Sequence, residues 1–205
     1  MKYILLIMTF CLFSCGNKET MLLPKSNITL VKTVSDHSPI YLFFRKTNAD
    51  TLTEVNRKNS IISTNWIFNI DKRLPLRIII PEIIKLQEKK RAEKAHKNEF
   101  AQNYYSYADS IGKNLAFLPF TKVYYKLEKA NSKSVLFFGK HNQILMNQTA
   151  IKKEELPGYL KDLNASEVNQ IKIGFDQNLS FDEYMQYKIF IESFKINENP
   201  EEYIY

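Results

Sequence analysis

Cysteine and histidine are scarce in this sequence of 205 residues, which has only two cysteines and three histidines. Cys11 lies in an apolar leader that we expect to be removed, so no disulfide can form within one mature chain. His37, His96 and His141 show no spacing typical of metal ligands. We therefore expect neither a metal site nor any other cofactor.

Familiar catalytic and nucleotide-binding motifs are also missing. The sequence has no G-x-S-x-G, no P-loop and no G-x-G-x-x-G. Glycine is sparse at five residues, and hydrophobic residues make up 44% of the chain. This composition is typical of a globular protein and excludes a disordered one.

Long hydrophobic runs are absent too. The most apolar stretch, residues 4–13 behind Lys2, has the length of a signal-peptide core and is too short to span a bilayer. The residues LFSC at its end resemble a bacterial lipobox, in which a small residue precedes the cysteine that carries acyl chains such as palmitate. We therefore predict a lipoprotein with a signal peptide over residues 1–14, lipidation of Cys15 and a polar tether over residues 15–27.

The formal net charge of +7 would suggest a nucleic-acid partner in a cytosolic protein. An exported lipoprotein does not normally meet nucleic acid. The predicted location is the bacterial cell envelope, lipid-anchored and facing the periplasm, at either the inner or the outer membrane. There the charge suits anionic lipid headgroups or a wall polymer, or serves solubility alone.

Hydrophobic periodicity predicts an α+β fold. We expect an N-terminal unit over residues 28–128, with strands over 38–46 and 66–71 and a helix over 76–98. The charged end of that helix, QEKKRAEKAHKN, predicts a projection into solvent. A second unit over residues 133–205 shows the order β-β-α-β-α-β, which predicts a small mixed sheet with helices on one face.

The second unit also carries a series of motifs. It combines a hairpin turn, a helix, a strand that ends in aspartate and a second helix, carried by Gly139, Lys140, Leu145, Asn147, Glu154, Glu155, Leu156, Leu160 and Asp176. In this order the motifs resemble the periplasmic domain of the ExbD/TolR family. The resemblance implies a domain that binds a partner or the cell wall, and its strand-end aspartate corresponds to Asp176.

One departure from that family limits what the resemblance implies. Its members usually have an N-terminal transmembrane helix with an aspartate that takes part in proton-driven motor action. Residues 1–14 contain no acidic side chain. The proton-coupling role is therefore not transferred to this chain.

A candidate internal repeat links the two units. At an offset of 105 residues, segment 66–76 corresponds to segment 171–181, so that Asp71 falls on Asp176. LFFRK (residues 42–46) resembles LFFGK (residues 136–140) at an offset of 94. Two such units could pack side by side and imitate the dimer that ExbD/TolR periplasmic domains often form.

Asp176 raises the question of catalysis, because Asp182 and Glu183 follow it closely and a glycoside hydrolase uses two carboxylates. However, Ser180 and Glu183 have the spacing of a helix capping box. Asp176 precedes that helix and can bond backbone N–H groups in the turn. We therefore predict turn and cap roles for Asp176, Asp71, Ser180 and Glu183, and no catalytic residue.

Two groups of residues are candidates for a partner surface. One is an aromatic cluster and the other the basic end of the long helix: Tyr104, Tyr105, Tyr107, Lys89, Lys90, Arg91 and Lys94. The alternatives are core packing for the tyrosines and a solvated helix face for the cations.

The predicted function is a non-enzymatic accessory or binding module of an ExbD/TolR-type envelope transport or energy-transduction system. Its expected partners are the membrane, through the lipid, and a proton-channel motor subunit or peptidoglycan. The alternative is a cell-wall-associated structural lipoprotein unrelated to such motors.

Overall fold

The computed structural model describes residues 20–47, 50–95, 98–193 and 200–205, so the predicted signal peptide and Cys15 lie outside the described residues. The described residues form two mixed sheets and four helices, which confirms the predicted α+β class. The strands are β1 (Lys25–Ser26), β2 (His37–Lys46), β3 (Thr51–Asn56), β4 (Asn65–Ile70), β5 (Asn103–Asp109), β6 (Leu115–Pro119), β7 (Tyr124–Lys126), β8 (Val135–Phe138), β9 (Ile144–Met146), β10 (Thr149–Ala150), β11 (Lys172–Phe175) and β12 (Glu201–Ile204). The helices are α1 (Leu76–Ala92), α2 (Leu156–Asp162), α3 (Ala165–Gln170) and α4 (Phe181–Ser193).

The two sheets share one strand order. In the first sheet β2, β4 and β5 are parallel neighbours, and β3 pairs antiparallel with β2. In the second sheet β8, β11 and β12 are parallel neighbours, and β9 pairs antiparallel with β8. The order β3-β2-β4-β5 is therefore repeated as β9-β8-β11-β12, with the same direction at every pairing.

Equivalent backbone hydrogen bonds give the register of this repeat. The Asp71 N–H donates to Leu42 O at 3.0 Å, and the Asp176 N–H donates to Phe138 O at 2.9 Å. Asp71 and Asp176 thus correspond at an offset of 105 residues, whereas Leu42 and Phe138 correspond at 96. The offset of 94 is wrong by two residues. It preserved the side-chain faces because these alternate along a strand with a period of two.

The two units meet at Pro75 and Ser180, which form an antiparallel bridge and also correspond at an offset of 105. Backbone bonds across this junction are reciprocal: Leu76 N to Leu179 O (2.9 Å), Phe181 N to Leu74 O (2.8 Å), Arg77 N to Gln177 O (2.8 Å) and Asp182 N to Lys72 O (3.1 Å). Reciprocity of this kind is the signature of a two-fold axis. The units therefore pack about a pseudo-two-fold axis within a single chain.

The same bonds begin the two long helices. The first N–H groups of a helix have no partner within it. In α1 and α4 the turn of the opposite unit supplies carbonyl acceptors for them. Each unit thus caps the other's helix, and α1 begins without a side-chain cap of its own.

Both long helices contact both sheets. α1 contacts β3 and β7. Tyr184 of α4 packs against Tyr105 of the first sheet, with ring centroids 6.3 Å apart, and against Phe175 of the second, 4.9 Å apart. The buried positions of α4 lie on nearly every side of the helix: Phe181, Tyr184, Met185, Tyr187, Lys188, Ile189 and Ile191. A helix buried all round belongs to an interior, and one hydrophobic core joins the units.

Three predicted boundaries are corrected, two of them by pairing between distant segments. Lys25–Ser26, assigned to the tether, forms β1 because Pro24 O and Ser26 O accept bonds from Ala108 and Ser110. β7, assigned to the N-terminal unit, pairs with β12 in the second sheet. The long helix ends at Ala92 rather than near residue 98.

The charged end of α1 does not project into solvent as predicted. Gln87 is buried, and its Nε2 donates to Phe120 O and Val123 O, both at 3.3 Å. The last turns of α1 therefore lie against the loop between β6 and β7.

Candidate functional site

A cleft of about 470 Å³ lies beside the C-terminal end of α1. It is lined by Ile62, Gln87, Lys90, Arg91, Asn98, Glu99, Ala101, Asn103, Thr121, Lys122, Tyr124 and Pro200. α1 and β5 belong to the first unit, whereas Tyr124 of β7 and Pro200 before β12 belong to the second sheet. The cleft is thus formed where the two units meet, a common location for binding sites.

Arg91 shapes the mouth of the cleft. Its Nη2 donates to Thr121 O at 3.0 Å and to Val123 O at 3.1 Å. Its guanidinium lies 4.1 Å from the centroid of the Tyr124 ring, and that ring is 48% exposed. This cation–π pair presents an aromatic face and a fixed positive charge together.

Lys90 forms the floor of the cleft rather than its surface. Its Nζ donates to Thr64 O at 2.9 Å and to Asn103 Oδ1 at 3.0 Å, and it lies 4.8 Å from the Trp66 ring centroid. Burial lowers the pKa of Lys90 to about 8. Lys90 therefore lines the cleft with an ammonium that joins strand ends, whereas Lys89 and Lys94 are exposed.

Further exposed groups lie in the cleft and in the segments that flank it. Lys122 lines the cleft and is exposed. Lys94, two residues after the end of α1, is exposed, and Phe100, next to the lining residue Glu99, is 88% exposed. Cationic and aromatic side chains in and beside the cleft suit a ligand with anionic groups and flat apolar surfaces. Of the predicted basic residues, Lys90 and Arg91 line the cleft, Lys94 lies in the segment after α1, and Lys89 lines a separate pocket with β3.

The predicted tyrosine surface is wrong for two of its three members. Tyr105 is fully buried and stacks on Phe120, with centroids 3.7 Å apart. Tyr107 is also fully buried, and its hydroxyl donates to Ile28 O at 3.0 Å. Both residues point to the core face of β5, while Tyr104 on the opposite face is half-buried.

The core contains a chain of polar side chains that the sequence did not reveal. Hydrogen bonds join the hydroxyls of Tyr105 and Tyr125 (2.6 Å), those of Tyr125 and Tyr184 (3.1 Å), and Tyr184 to Glu202 Oε2 (2.7 Å). Glu202 Oε1 then pairs with Lys188 Nζ at 2.6 Å. The chain thus connects β5 of the first unit with β7, α4 and β12 of the second.

The electrostatics of this chain favour neutral phenols and a charged pair. Burial, reinforced by the charge of Glu202, raises the pKa of Tyr184 well above its usual value, so its hydroxyl keeps the proton that it donates. Burial alone would lower the pKa of Lys188, but Glu202 and Glu192 hold it above its usual value. A lysine among the apolar positions of α4 was the available sequence signal, since Lys188 follows Tyr184 by one helical turn.

Asp71 and Asp176 occupy the same turn in the two units. Asp176 Oδ1 accepts from Asn178 N at 2.8 Å, and Asp71 Oδ1 accepts from Arg73 N at 3.1 Å. In α4 the capping-box bonds run from Glu183 N to Ser180 Oγ and from Ser180 N to Glu183 Oε2. The carboxylates of Asp176 and Glu183 therefore have structural roles, in the turn before α4 and in its N-terminal cap.

Asp71 makes more interactions than its counterpart Asp176. Its buried carboxylate pairs with Arg73 at 2.7 Å and accepts the Leu22 N–H at 3.3 Å. Burial alone would raise the pKa of Asp71, but the hydrogen bonds from Arg73 and Leu22 hold it below its usual value of 3.8. Its contribution to stability is therefore present above that value and is lost as pH falls through the lowered pKa.

Replacing these two aspartates should have unequal effects. We expect Asp176→Ala to lower the free energy of unfolding by about 1 kcal/mol, as for a lost cap. Asp71→Ala should lower it by about 2–3 kcal/mol, because the Arg73 guanidinium and the Leu22 N–H also lose their acceptor. Urea denaturation at neutral pH measures both. Below the pKa of Asp71 the difference should shrink, and equal losses at neutral pH would contradict this assignment.

Among the described residues, no three His, Cys, Asp or Glu side chains come together as metal ligands. Within the same residues, no helix is long and apolar enough to cross a membrane. Comparison of the chain with family models, curated proteins and solved structures gives no match.

Proposed function

We propose that this chain is a lipid-anchored binding module of the bacterial cell envelope, acting without catalysis as an accessory of an ExbD/TolR-type transport or energy-transduction system. The observation that carries the proposal is the pairing of two units of one strand order about a pseudo-two-fold axis. The C-terminal unit includes the β-β-α-β-α-β order of the resemblance. The first unit takes the place that a second subunit has in a dimer.

The cleft at the end of α1 is the partner-binding site in this proposal. It exists only where the two units meet, so the fused arrangement creates a surface that neither unit has alone. The exposed ring of Tyr124 with its Arg91 partner supplies an anchor of the kind enriched at protein interfaces. Lys122 supplies positive charge in the cleft and Lys94 supplies it just after the end of α1, where it steers an acidic partner.

Affinity purification after gentle solubilisation tests the proposal. A proton-channel motor subunit should co-purify with the wild-type chain, and Lys94→Glu/Lys122→Glu should reduce its yield about tenfold. The two charge reversals, one in the cleft and one just after α1, act through steering and complementarity. Neither lysine has an ion-pair partner among the described residues.

Lys129→Glu/Lys161→Glu is the matched control, because both lysines are exposed and lie away from the cleft. It should leave the yield unchanged. Failure of the wild-type chain to retain any motor subunit would contradict the proposal.

A second candidate, wall association, is favoured by two exposed aromatic residues, Phe100 and Tyr124, and by Lys122, which lines the same cleft as Tyr124. Aromatic faces suit sugar rings, and lysines suit the carboxylates of peptidoglycan. Sedimentation of the purified chain with insoluble peptidoglycan separates the candidates. Wall association is favoured if the wild-type chain pellets with peptidoglycan, Lys94→Glu/Lys122→Glu abolishes the pelleting, and no motor subunit co-purifies.

A further inference from the structure

We infer that the carboxyl edge of the first sheet lies against the headgroups of an anionic phospholipid bilayer. This edge comprises residues 22–29, the turn after β4, and residues 110–115, from the end of β5 to the first residue of β6. The inference rests on the proposed function, since the lipid at Cys15 is what brings this edge to the membrane.

The chain enters the fold at this edge. The Leu22 N–H donates to Asp71 Oδ2 at 3.3 Å, and Leu22 O accepts from Lys72 N at 2.7 Å. Leu22 is only seven residues after Cys15, a separation of at most about 25 Å for an extended chain. The carboxyl edge therefore lies within reach of the bilayer surface from a lipidated Cys15.

Exposed apolar side chains mark the edge. Leu22 is 41% exposed, Ile28 40%, Ile111 73% and Leu115 47%. Ile28 and Ile111 lie close together, because Thr29 Oγ1 donates to Asp109 Oδ2 at 2.6 Å and Asp109 precedes Ile111 by two residues. Isolated exposed apolar residues are ordinary, but four of them along one edge, next to a lipid anchor, indicate contact with an apolar phase.

The turn that presents Ile111 is held firmly. Asp109 Oδ1 accepts from Ile111 N and Gly112 N, both at 2.9 Å. A Cβ at Gly112 would lie 2.4 Å from Asp109 Oδ2, so any other residue there would displace the carboxylate that holds this turn. Ile111 is thus fixed in an outward position rather than exposed by a loose loop.

The charges of the edge are arranged for an anionic surface. Lys25, Lys72 and Lys113 have no ion-pair partner among the described residues. The nearby carboxylates are engaged internally, Asp71 by Arg73 and Asp109 by Thr29 and the turn N–H groups. Lysines without partners next to exposed aliphatic residues are the composition of interfacial membrane surfaces.

This orientation also places the cleft away from the membrane. The anchor enters beside the first turn of α1, and the cleft lies at its other end. Seventeen residues of α-helix span about 25 Å. A bilayer against the carboxyl edge therefore leaves the rim of the cleft open to a partner in the periplasm.

Vesicle binding by the unlipidated chain tests the inference. The chain from residue 16 onward contains every described strand and helix and all of the core. It should bind vesicles of phosphatidylcholine and phosphatidylglycerol at least about tenfold more tightly than vesicles of phosphatidylcholine alone. Lys25→Glu/Ile111→Asp/Lys113→Glu should remove that preference, because it reverses two charges and deletes the most exposed aliphatic residue of the edge.

Lys129→Glu/Tyr159→Asp/Lys161→Glu is the matched control, since it changes two exposed lysines and one exposed apolar residue outside the edge. It should bind as the wild-type chain does, with cooperative melting confirming that both variants fold. Absence of a preference for anionic vesicles, or equal losses in the two variants, would overturn the inference. This assay omits the acyl chains and any protein partner. Vesicle binding can therefore fail while co-purification succeeds, and co-purification can fail while vesicle binding succeeds.

Discussion

Replacing Glu202 by glutamine is expected to lower the free energy of unfolding by about 3–5 kcal/mol, because it leaves the buried Lys188 ammonium without its main counter-charge. The side chains of Glu202 and Lys188 are 4% and 6% exposed, so water cannot replace the lost partner. Glu192, at 3.6 Å, is 44% exposed and compensates little. Tyr184 retains an acceptor in the amide oxygen, so the loss is one of charge rather than of shape.

Urea denaturation of three variants isolates this effect. Glu201→Gln removes the neighbouring carboxylate, whose partner Lys172 lies nearer the surface, and should cost at most about 1 kcal/mol. Lys188→Met/Glu202→Leu removes both buried charges and should recover most of the stability lost in Glu202→Gln. Equal losses of unfolding free energy for Glu201→Gln and Glu202→Gln would show that the buried pair stabilises the fold no more than an ion pair nearer the surface.

Changing Cys15 to serine is expected to move the protein from the membrane fraction to the soluble fraction. Each buried methylene of an acyl chain contributes about 0.8 kcal/mol, so acyl chains on Cys15 would account for nearly all of the expected membrane affinity. The carboxyl edge alone binds reversibly and cannot hold the chain through washing. Fractionation with immunoblotting, together with the intact mass of the wild-type chain, measures the outcome.

A conservative control accompanies this experiment. Ser14→Ala keeps a small residue before the cysteine, so the lipobox is preserved and the protein should remain in the membrane fraction. Retention of the Cys15→Ser protein in that fraction after a high-salt wash would contradict lipidation at this cysteine.

Much of the fold could be predicted from the sequence because its signals are local. Alternating residues around Phe68 and Ile173 predicted β4 and β11, and the capping-box spacing of Ser180 and Glu183 predicted the start of α4. The strand-turn-helix similarity at an offset of 105 also predicted that the chain contains two related units. In each case the residues that show the sequence pattern are the same residues that form the element.

The remaining features depend on contacts between distant segments. Nothing near Gln87 in the sequence shows that the loop at Phe120 will cover the end of α1, so that helix end was predicted to be solvated. The Tyr105 ring could equally lie in a surface cluster until α4 packs against β5. The alignment of LFFRK with LFFGK followed residue identity, whereas the hydrogen bonds of Asp71 and Asp176 define the true register.

The cleft was predicted only in part for the same reason. Arg91 was a candidate because it belongs to a basic run, but Tyr124 and Pro200 come from segments with no sequence signal in common. Lys90 belongs to the same run and turns inward, because its face of α1 lies over Trp66. A charge run indicates which residues are cationic, whereas packing decides which of them a partner can reach.

An engineered disulfide at the junction tests the fused two-unit architecture most directly. Pro75 and Ser180 form an antiparallel bridge in which the neighbouring residues make the hydrogen bonds. Such pairs have Cα atoms about 4.5 Å apart, which is within the range of a disulfide. Pro75→Cys/Ser180→Cys, in a chain whose Cys11 and Cys15 are serine, should oxidise to a monomer with no free thiol. Free thiols, or disulfides found only between chains, would contradict the pseudo-two-fold pairing of the two units.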